Sequence, residues 1–599
     1  VGIRSITLSS ALVTAFILPV LPCRAHQAWQ PIDSLSCKIR LPAGESADVT
    51  FDPSGQRLIL HRSPFPLTTL AREAVDYAPD WLKVDLVDNL CRLDPGCQDE
   101  YASLILNTAD PYVDEVAFEI AHLAPQALQD STMDTGMLME NVESVYANDQ
   151  VLDYVNIVDH GSAADGGDYY STTRYWVAEE GDTVQYEAPK EIYYWFIVHP
   201  RLHKEFPAYI DPDTGDPAPP PTGVFWRDWL MNHADQGYPL LRDMLVGQRT
   251  LWNNVSNDID NGAVGAITQW INDVLVFEDY PHHDQPVRIY RYHTGTCSVH
   301  SYLTAAASRA ALIPTVVTVM YRDNHKVNEF WDRRWVHWEP VDILIDSPRT
   351  YDPGWGWNIA AAFDWRGDGY IWDVTKRYTD VCTLYVDVRD SLDHPVDAAR
   401  IKLTSEGFVG WGATAGWTDT AGEKRFLLGD SRNFSGRVDS PIGTYPSFGT
   451  TPIITDSQVG ETYYWDVSLP GSVPWIWVRP DSLPSNPLNE YKLSYSIRVP
   501  REIFYGINFD DGDEFSESRK PGSILSFICD SQNFRLYRTG HPLFAHQIER
   551  GVSSVDTSFL FPTKDKWHLV LSNEERVKTT QFVELTVRLY RHGGGGRRK

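Results

Sequence analysis

The sequence is poor in cysteine, methionine and positive charge. It has seven cysteines and six methionines in 599 residues. No two cysteines stand as a C-x-x-C pair, so a cysteine zinc site is not expected. Lysine and arginine number 52 against 81 aspartates and glutamates, a formal net charge of −29. That surface repels phosphate backbones and anionic headgroups, so nucleic acid is not an expected partner. Beyond the first residues, no apolar run reaches the length of a membrane span.

That first stretch reads "VGIRSITLSSALVTAFILPVLPCRA" over residues 1–25. Arg4 is a basic start, residues 6–21 are an apolar run, and Cys23-Arg24-Ala25 resembles a small-residue cleavage site. The pattern is that of a secretory signal. A lipid anchor at Cys23 is the second reading, which Pro22 disfavours. The expectation is a secreted or periplasmic, cell-envelope protein with no membrane attachment once the signal is removed. Export permits disulfides. In "CRLDPGCQ" a turn would bring Cys91 and Cys97 together, making them the first candidate pair.

The remainder has a folding composition, 42% apolar and 12% aromatic, and its length implies several domains. After a short β-like entry, residues 26–245 read as a mainly helical N-terminal region. Leu82, Leu86 and Leu90 recur every four residues on one helix face. "EIYYWFIVHPRL" and "GVFWRDWLMNHADQGYPLLRDML" read as aromatic-rich helices, separated by the turn-rich residues 211–223. Past Thr375 the texture changes. "CTLYVDVRDSLDHPVDAARIKLTSE" reads as strand, turn, strand, and "WTDTAGEKRFLLGD" repeats that logic around Ala421-Gly422. Over residues 379–468 this resembles the carboxypeptidase-regulatory-like β-sandwich. Residues 469–599 read as a second β-sandwich. The acidic turns at 211–223 and 508–515 have oxygen ligands at calcium-like spacing, but neither shows a full EF-hand loop, and both read as solvated turns.

Chemistry is concentrated in residues 246–378. "HTGTCSVHSYLTAAASRAALIP" sets Cys297 after a Gly/Thr turn and at the start of a small-residue helix stopped by Pro314. Thr294 or Thr296 would cap that helix. A thiol in a helix's first turn faces unpaired N–H groups and the positive end of the dipole, which favour the thiolate. Downstream, "HKVNEFWDRRWVHWEPVD" reads as a hairpin of His325 to Trp331 and Trp335 to Val341 across Asp332-Arg333-Arg334. With a three-residue loop Trp331 faces Trp335, His325 faces Val341, and Glu339 shares a face with His325, roughly 7–8 Å away at the backbone. A two-residue loop would place them on opposite faces.

A cysteine at a helix start, a histidine and a carboxylate supply a nucleophile, a base and a group that orients the base. The motifs resemble the transglutaminase-like superfamily, which includes peptide N-glycanases and many bacterial proteins. There the Cys lies in "G.C......A...R..g.P", the His in "H.W.E.y" and the acid in "W...D". The resemblance implies a papain-like α+β catalytic domain with Cys297, His325 and Glu339 as its triad, and no cofactor or metal. Val327 stands where that family has an aromatic residue. Glu339 stands where it has Asp, with Asp342 as the alternative acid.

His300, His337 and "HHD" at residues 282–284 have packing or loop roles as their simpler reading. Core packing is the simpler reading for about half of Trp331, Trp335, Trp338, Trp355 and Trp357. Cys297 N–H is a natural oxyanion donor, with Gln269 and Trp270 as candidates for a second. The expected architecture is multidomain α+β. The expected function is a secreted cysteine-dependent acyl-transfer enzyme, hydrolase or crosslinker, acting on a protein, peptide or glycopeptide. The alternative is a non-catalytic surface or binding protein that keeps the domain as a scaffold.

Overall fold

The computed structural model describes residues 29–63, 65–130, 133–280, 282–321, 325–352, 354–405, 414–484, 487, 490–508, 512 and 514–592. The signal-like segment and Cys23 lie outside them, as do parts of the acidic turn at 508–515. Within them the chain is a mixed α+β architecture with several sheets.

The first strands do not open a helical region. Trp29–Leu41 pairs antiparallel with Thr580–His592, in register from Trp29↔His592 to Leu41↔Gln581. Ser46–Asp52 lies between Arg57–His61 and Trp567–Ser572. Alternation drives this pairing. Ile39, Leu41, Ala47, Val49 and Phe51 share a buried core with Leu493, Tyr495, Leu569, Leu571, Leu585 and Val587, while Asp48 and Thr50 point to the other face, where they are buried against His568. The C-terminal sheets therefore contain strands from both ends of the described chain.

Helices then run from Thr69 to Asp149. Leu82, Leu86 and Leu90 are fully buried, as their spacing predicts. Within the stretch expected to be mainly helical, Val155–His160, Tyr170–Glu179 and Asp182–Glu187 form a three-stranded sheet. The "EIYYWFIV" stretch is one α turn, Lys190–Tyr193, followed by a π turn, Tyr194–Val198.

Cys91 and Cys97 are not joined, and no disulfide links the six described cysteines. Asp94 explains the pair. It caps the helix Pro95–Asn107 through the N–H groups of Gly96 and Cys97, and Cys91 ends the preceding helix. The turn that was to close the pair is instead a helix start, and Cys97 Sγ donates to Asp94.

Both bends past Thr375 cross between sheets. Val381–Arg389 pairs with Glu423–Gly429 and Thr462–Ser468, whereas Arg400–Ser405 pairs with Thr414–Trp417 and Phe434–Ser440. Asp390 fixes the first bend, accepting from the N–H groups of Leu392 and His394.

The functional region holds a six-stranded antiparallel sheet. Its order is Leu344–Ile345, Trp335–Glu339, His325–Trp331, Thr315–Tyr321, Ala361–Trp365, Ile371–Asp373. One face carries the helix Cys297–Ala310, whose alanines 305, 306, 307 and 310 are fully buried. That helix packs against the strands and against helices Trp226–Asn232 and Gly262–Val274. Small side chains allow this crowding on every side.

Candidate active site

Cys297 is the first residue of its helix, with Thr296 at the cap position but making no side-chain cap bond. The preceding turn needs glycine, because a Cβ on Gly295 would meet Val299 at 2.4 Å. The helix's far end is also fixed. Arg309 is buried and donates Nε to Thr315 O at 3.0 Å, tying the helix to the strand that follows Pro314. Leu312 ends the helix in the left-handed region at φ 56°, where glycine would be unstrained.

The helix is pinned to the histidine strand by two bonds. Ser301 Oγ donates to Val327 O at 2.9 Å, and Asn328 Nδ2 donates to Ser301 O at 3.0 Å. These bring the start of the strand to the start of the helix, and the Cys297 thiol hydrogen-bonds the His325 side chain. The loop is the three-residue one. Trp331 faces Trp335, and pairing continues to Asn328↔Trp338. The second strand ends at Glu339 rather than Val341, because Pro340 has no N–H for a ladder. Glu339 still shares the face of His325, with His325 Nε2 3.0 Å from Glu339 Oε1. Asp342 is exposed and makes no such contact.

Burial raises the thiol's pKa. Against it stand the hydrogen bond and charge of His325, the N–H of Lys326 and the Lys326 ammonium, and together they hold Cys297 below the usual thiol range. Burial lowers His325, but its bonds and charge interactions with Cys297 and Glu339 raise it to about 10. Glu339 is pushed up by burial and pulled further down by His325, the Tyr351 hydroxyl and His337. The geometry thus favours thiolate beside imidazolium beside carboxylate.

Two aromatics not marked by any hairpin motif complete the surroundings. Tyr351 Oη donates to Glu339 Oε2 at 2.6 Å and lies 2.6 Å from His337 Nε2. Trp357 meets the His325 ring edge-on, centroids 5.0 Å apart. Val327 is buried with Tyr351, and Trp357 packs against them. Of the tryptophans, Trp338 is core and Trp355 is exposed.

The other expected candidates go elsewhere. His300 is buried with Nδ1 3.0 Å from Thr296 O. His293, four residues before Cys297, stacks on Tyr238 and pairs with Asp235. Trp270 Nε1 donates to Pro239 O, and Gln269 donates to Asp273, so neither is placed as an oxyanion donor. Beneath the site, a network missed at the sequence level joins Glu329, Asp364, Arg377, Tyr378 and Thr318.

Comparison with known proteins points to the same segment. Residues 249–340 match the transglutaminase-like superfamily. The chain is 23% identical over 104 residues to a peptide-N(4)-(N-acetyl-β-glucosaminyl)asparagine amidase of Debaryomyces hansenii, covering 16% of this chain and 28% of the amidase. It thus spans 28% of the length of that curated relative. Among solved structures it is similar to red sea bream transglutaminase, at 10% identity and a TM-score of 0.21, covering 72% of this chain and 88% of that one. Similarity to the Bacillus anthracis TIE protein has 7% identity and a TM-score of 0.13, covering 44% of this chain and 67% of that one. The match to the transglutaminase-like superfamily is a partial one, confined to the segment that holds Cys297, His325 and Glu339.

Proposed function

We propose that this chain is a cysteine-dependent acyl-transfer enzyme acting on amide bonds, with Cys297 as nucleophile, His325 as acid–base and Glu339 as the group that orients His325. The single observation that supports this reading most is the 3.0 Å contact of His325 Nε2 with Glu339 Oε1, on a ring that also hydrogen-bonds Cys297. Glu339 supplies the carboxylate that orients the ring.

In this reading Cys297 Sγ attacks the amide carbonyl carbon, forming the C–S bond. The carbonyl oxygen takes the negative charge, and the N–H of Cys297, at the helix start, is its natural donor. His325 gives its proton to the leaving nitrogen as the C–N bond breaks. The thioester then passes its acyl group to water or to an amine, with His325 withdrawing the acceptor's proton. Export, read from residues 1–25, directs the activity to proteins, peptides or glycopeptides outside the cytoplasm. The partial likeness to an amidase that acts on glycosylated asparagine keeps glycopeptides in that set.

The test is release of ammonia or an amine from glutamine and asparagine peptides, with and without added amine, beside a Cys297→Ala control. Turnover abolished by Cys297→Ala supports the reading. No turnover over a broad peptide set, together with a thiol that alkylates no faster than an ordinary one, overturns it.

A further inference from the structure

Lys326 follows His325 and so projects to the opposite sheet face, the one on which the Cys297 helix packs. A cavity of about 140 Å³ opens there, lined by Ser298, Lys326, His203, Lys204, His283 and Tyr302. Ser298 and Lys326 are the residues next in sequence to Cys297 and His325, so the cavity adjoins the site. Its charge runs against the chain's net −29. Among the described residues, two lysines and three histidines, His282 included, line it with a single carboxylate, Asp284. That carboxylate stands 3.7 Å from Lys204 Nζ.

His203 is the telling group. It is 1% exposed, and neither ring nitrogen has a hydrogen-bond partner. Its ring lies between Tyr302 and Trp365, with centroids at 5.0 and 4.3 Å. Burial, then the charges of Lys326, Lys204 and Arg201, hold it neutral, so one ring nitrogen donates and the other accepts. A buried donor left unspent is costly, and a bound acceptor would satisfy it. Lys326 Nζ donates to Tyr302 Oη at 2.5 Å, which sets the ammonium beside the ring of His203. His283 Nε2 is likewise without a partner. The volume equals roughly five waters' share of liquid, which suits a carboxylate with one or two carbons.

We propose that this cavity is a carboxylate subsite of the Cys297 cleft, so that the amide substrate carries a carboxylate close to the bond attacked. This rests on the reading of Cys297 as nucleophile and narrows its substrates to acidic or carboxy-terminal amides.

The experiment compares alkylation of the full chain by iodoacetate and by iodoacetamide, with glutathione as reference thiol. The iodoacetate-to-iodoacetamide rate ratio is expected to exceed the reference. It should fall about fivefold in Lys204→Gln, the scale of one partly exposed charge pair. It should rise in Asp284→Asn, which removes the competing carboxylate. A reference-like ratio that neither variant moves overturns the subsite. Because the ratio is read whatever the absolute rate, the two readings separate. A slow thiol that still prefers iodoacetate refutes activation and keeps the subsite. A fast thiol with the reference ratio does the reverse. N-acetylglutamine and N-acetylglutamate α-amide, tested as protectants against iodoacetamide, distinguish an α-carboxylate from a side-chain one. Protection by neither overturns the proposal.

Discussion

The Tyr351 hydroxyl donates to Glu339 Oε2 at 2.6 Å from a segment outside the hairpin that carries Glu339. The carboxylate is thereby held from both sides, by an imidazole at one oxygen and a phenol at the other. Tyr351→Phe removes the phenol's bond and leaves the ring's packing. Turnover should fall about tenfold, the scale of one hydrogen bond to a charged group, with KM little changed. The bond favours ionised Glu339, so its loss raises the carboxylate's pKa and moves the acid limb of kcat upward. A pH profile of the variant checks both; an unmoved limb would assign Tyr351 to packing alone.

Glu339 reaches His325 only because the loop has three residues. Glu339→Gln keeps the shape but favours the wrong ring tautomer, and kcat should fall by roughly 10³-fold. Glu339→Asp shortens the reach and should fall less. Equal activity of all three would remove Glu339 from the chemistry.

The ionic pairing sets the pH range. His325 is held at about 10, above its unfolded value, so its imidazolium is stabilised at lower pH and lost as pH rises through that value. The alkaline limb of kcat/KM should therefore fall near pH 10. Cys297 is held low, so its alkylation should already be fast at a pH where an ordinary thiol is still slow. His325→Ala leaves burial largely unopposed, and the alkylation midpoint should move above the ordinary thiol range. Iodoacetamide kinetics from pH 5 to 10 measure both.

Arg377 pairs with Glu329 and Asp364, whose side chains are fully buried. Arg377→Ala strands both carboxylates and should cost about 3 kcal/mol. Burial and the neighbouring Glu329 already push Asp364 well above the carboxylate range. Protonation relieves the stranded charges, so the loss should be smaller at pH 5 than at pH 8. Urea titrations at the two pH values decide it.

The pairing of Trp29–Leu41 with Thr580–His592 predicts that residues 469–592 expressed alone will not fold cooperatively. They would expose the edge that Trp29–Leu41 covers. Adding residues 29–61, by fusion or co-expression, should restore a cooperative melt. A fragment that melts cooperatively alone would contradict this.

The positions of Cys297, His325 and Glu339 were legible because each depends on local rules: a helix start, a proline stop and the two-residue period of a hairpin. Tyr351 and Trp357 were not, because a loop's return to the His325 ring depends on tertiary packing that no periodicity encodes. The same holds for Asp94. Its short spacing to Cys97 reads equally as a cystine turn or a helix cap, and packing chose the cap. Residues 37–60 read as a β-like entry, but the partners of these strands lie at the far end of the sequence, where no local pattern points.

The register that sets Trp29 opposite His592 also has a mechanical consequence. The two ends of the described chain leave from one edge, at the same end of one antiparallel ladder. A force drawing them apart loads the hydrogen bonds one pair at a time, as in opening a zipper, rather than all at once in shear. Any tether holding both ends would open the strand-rich unit first, while the helix bearing Cys297 and its sheet, which lie between the ends, stay off the line of pull until that ladder is gone.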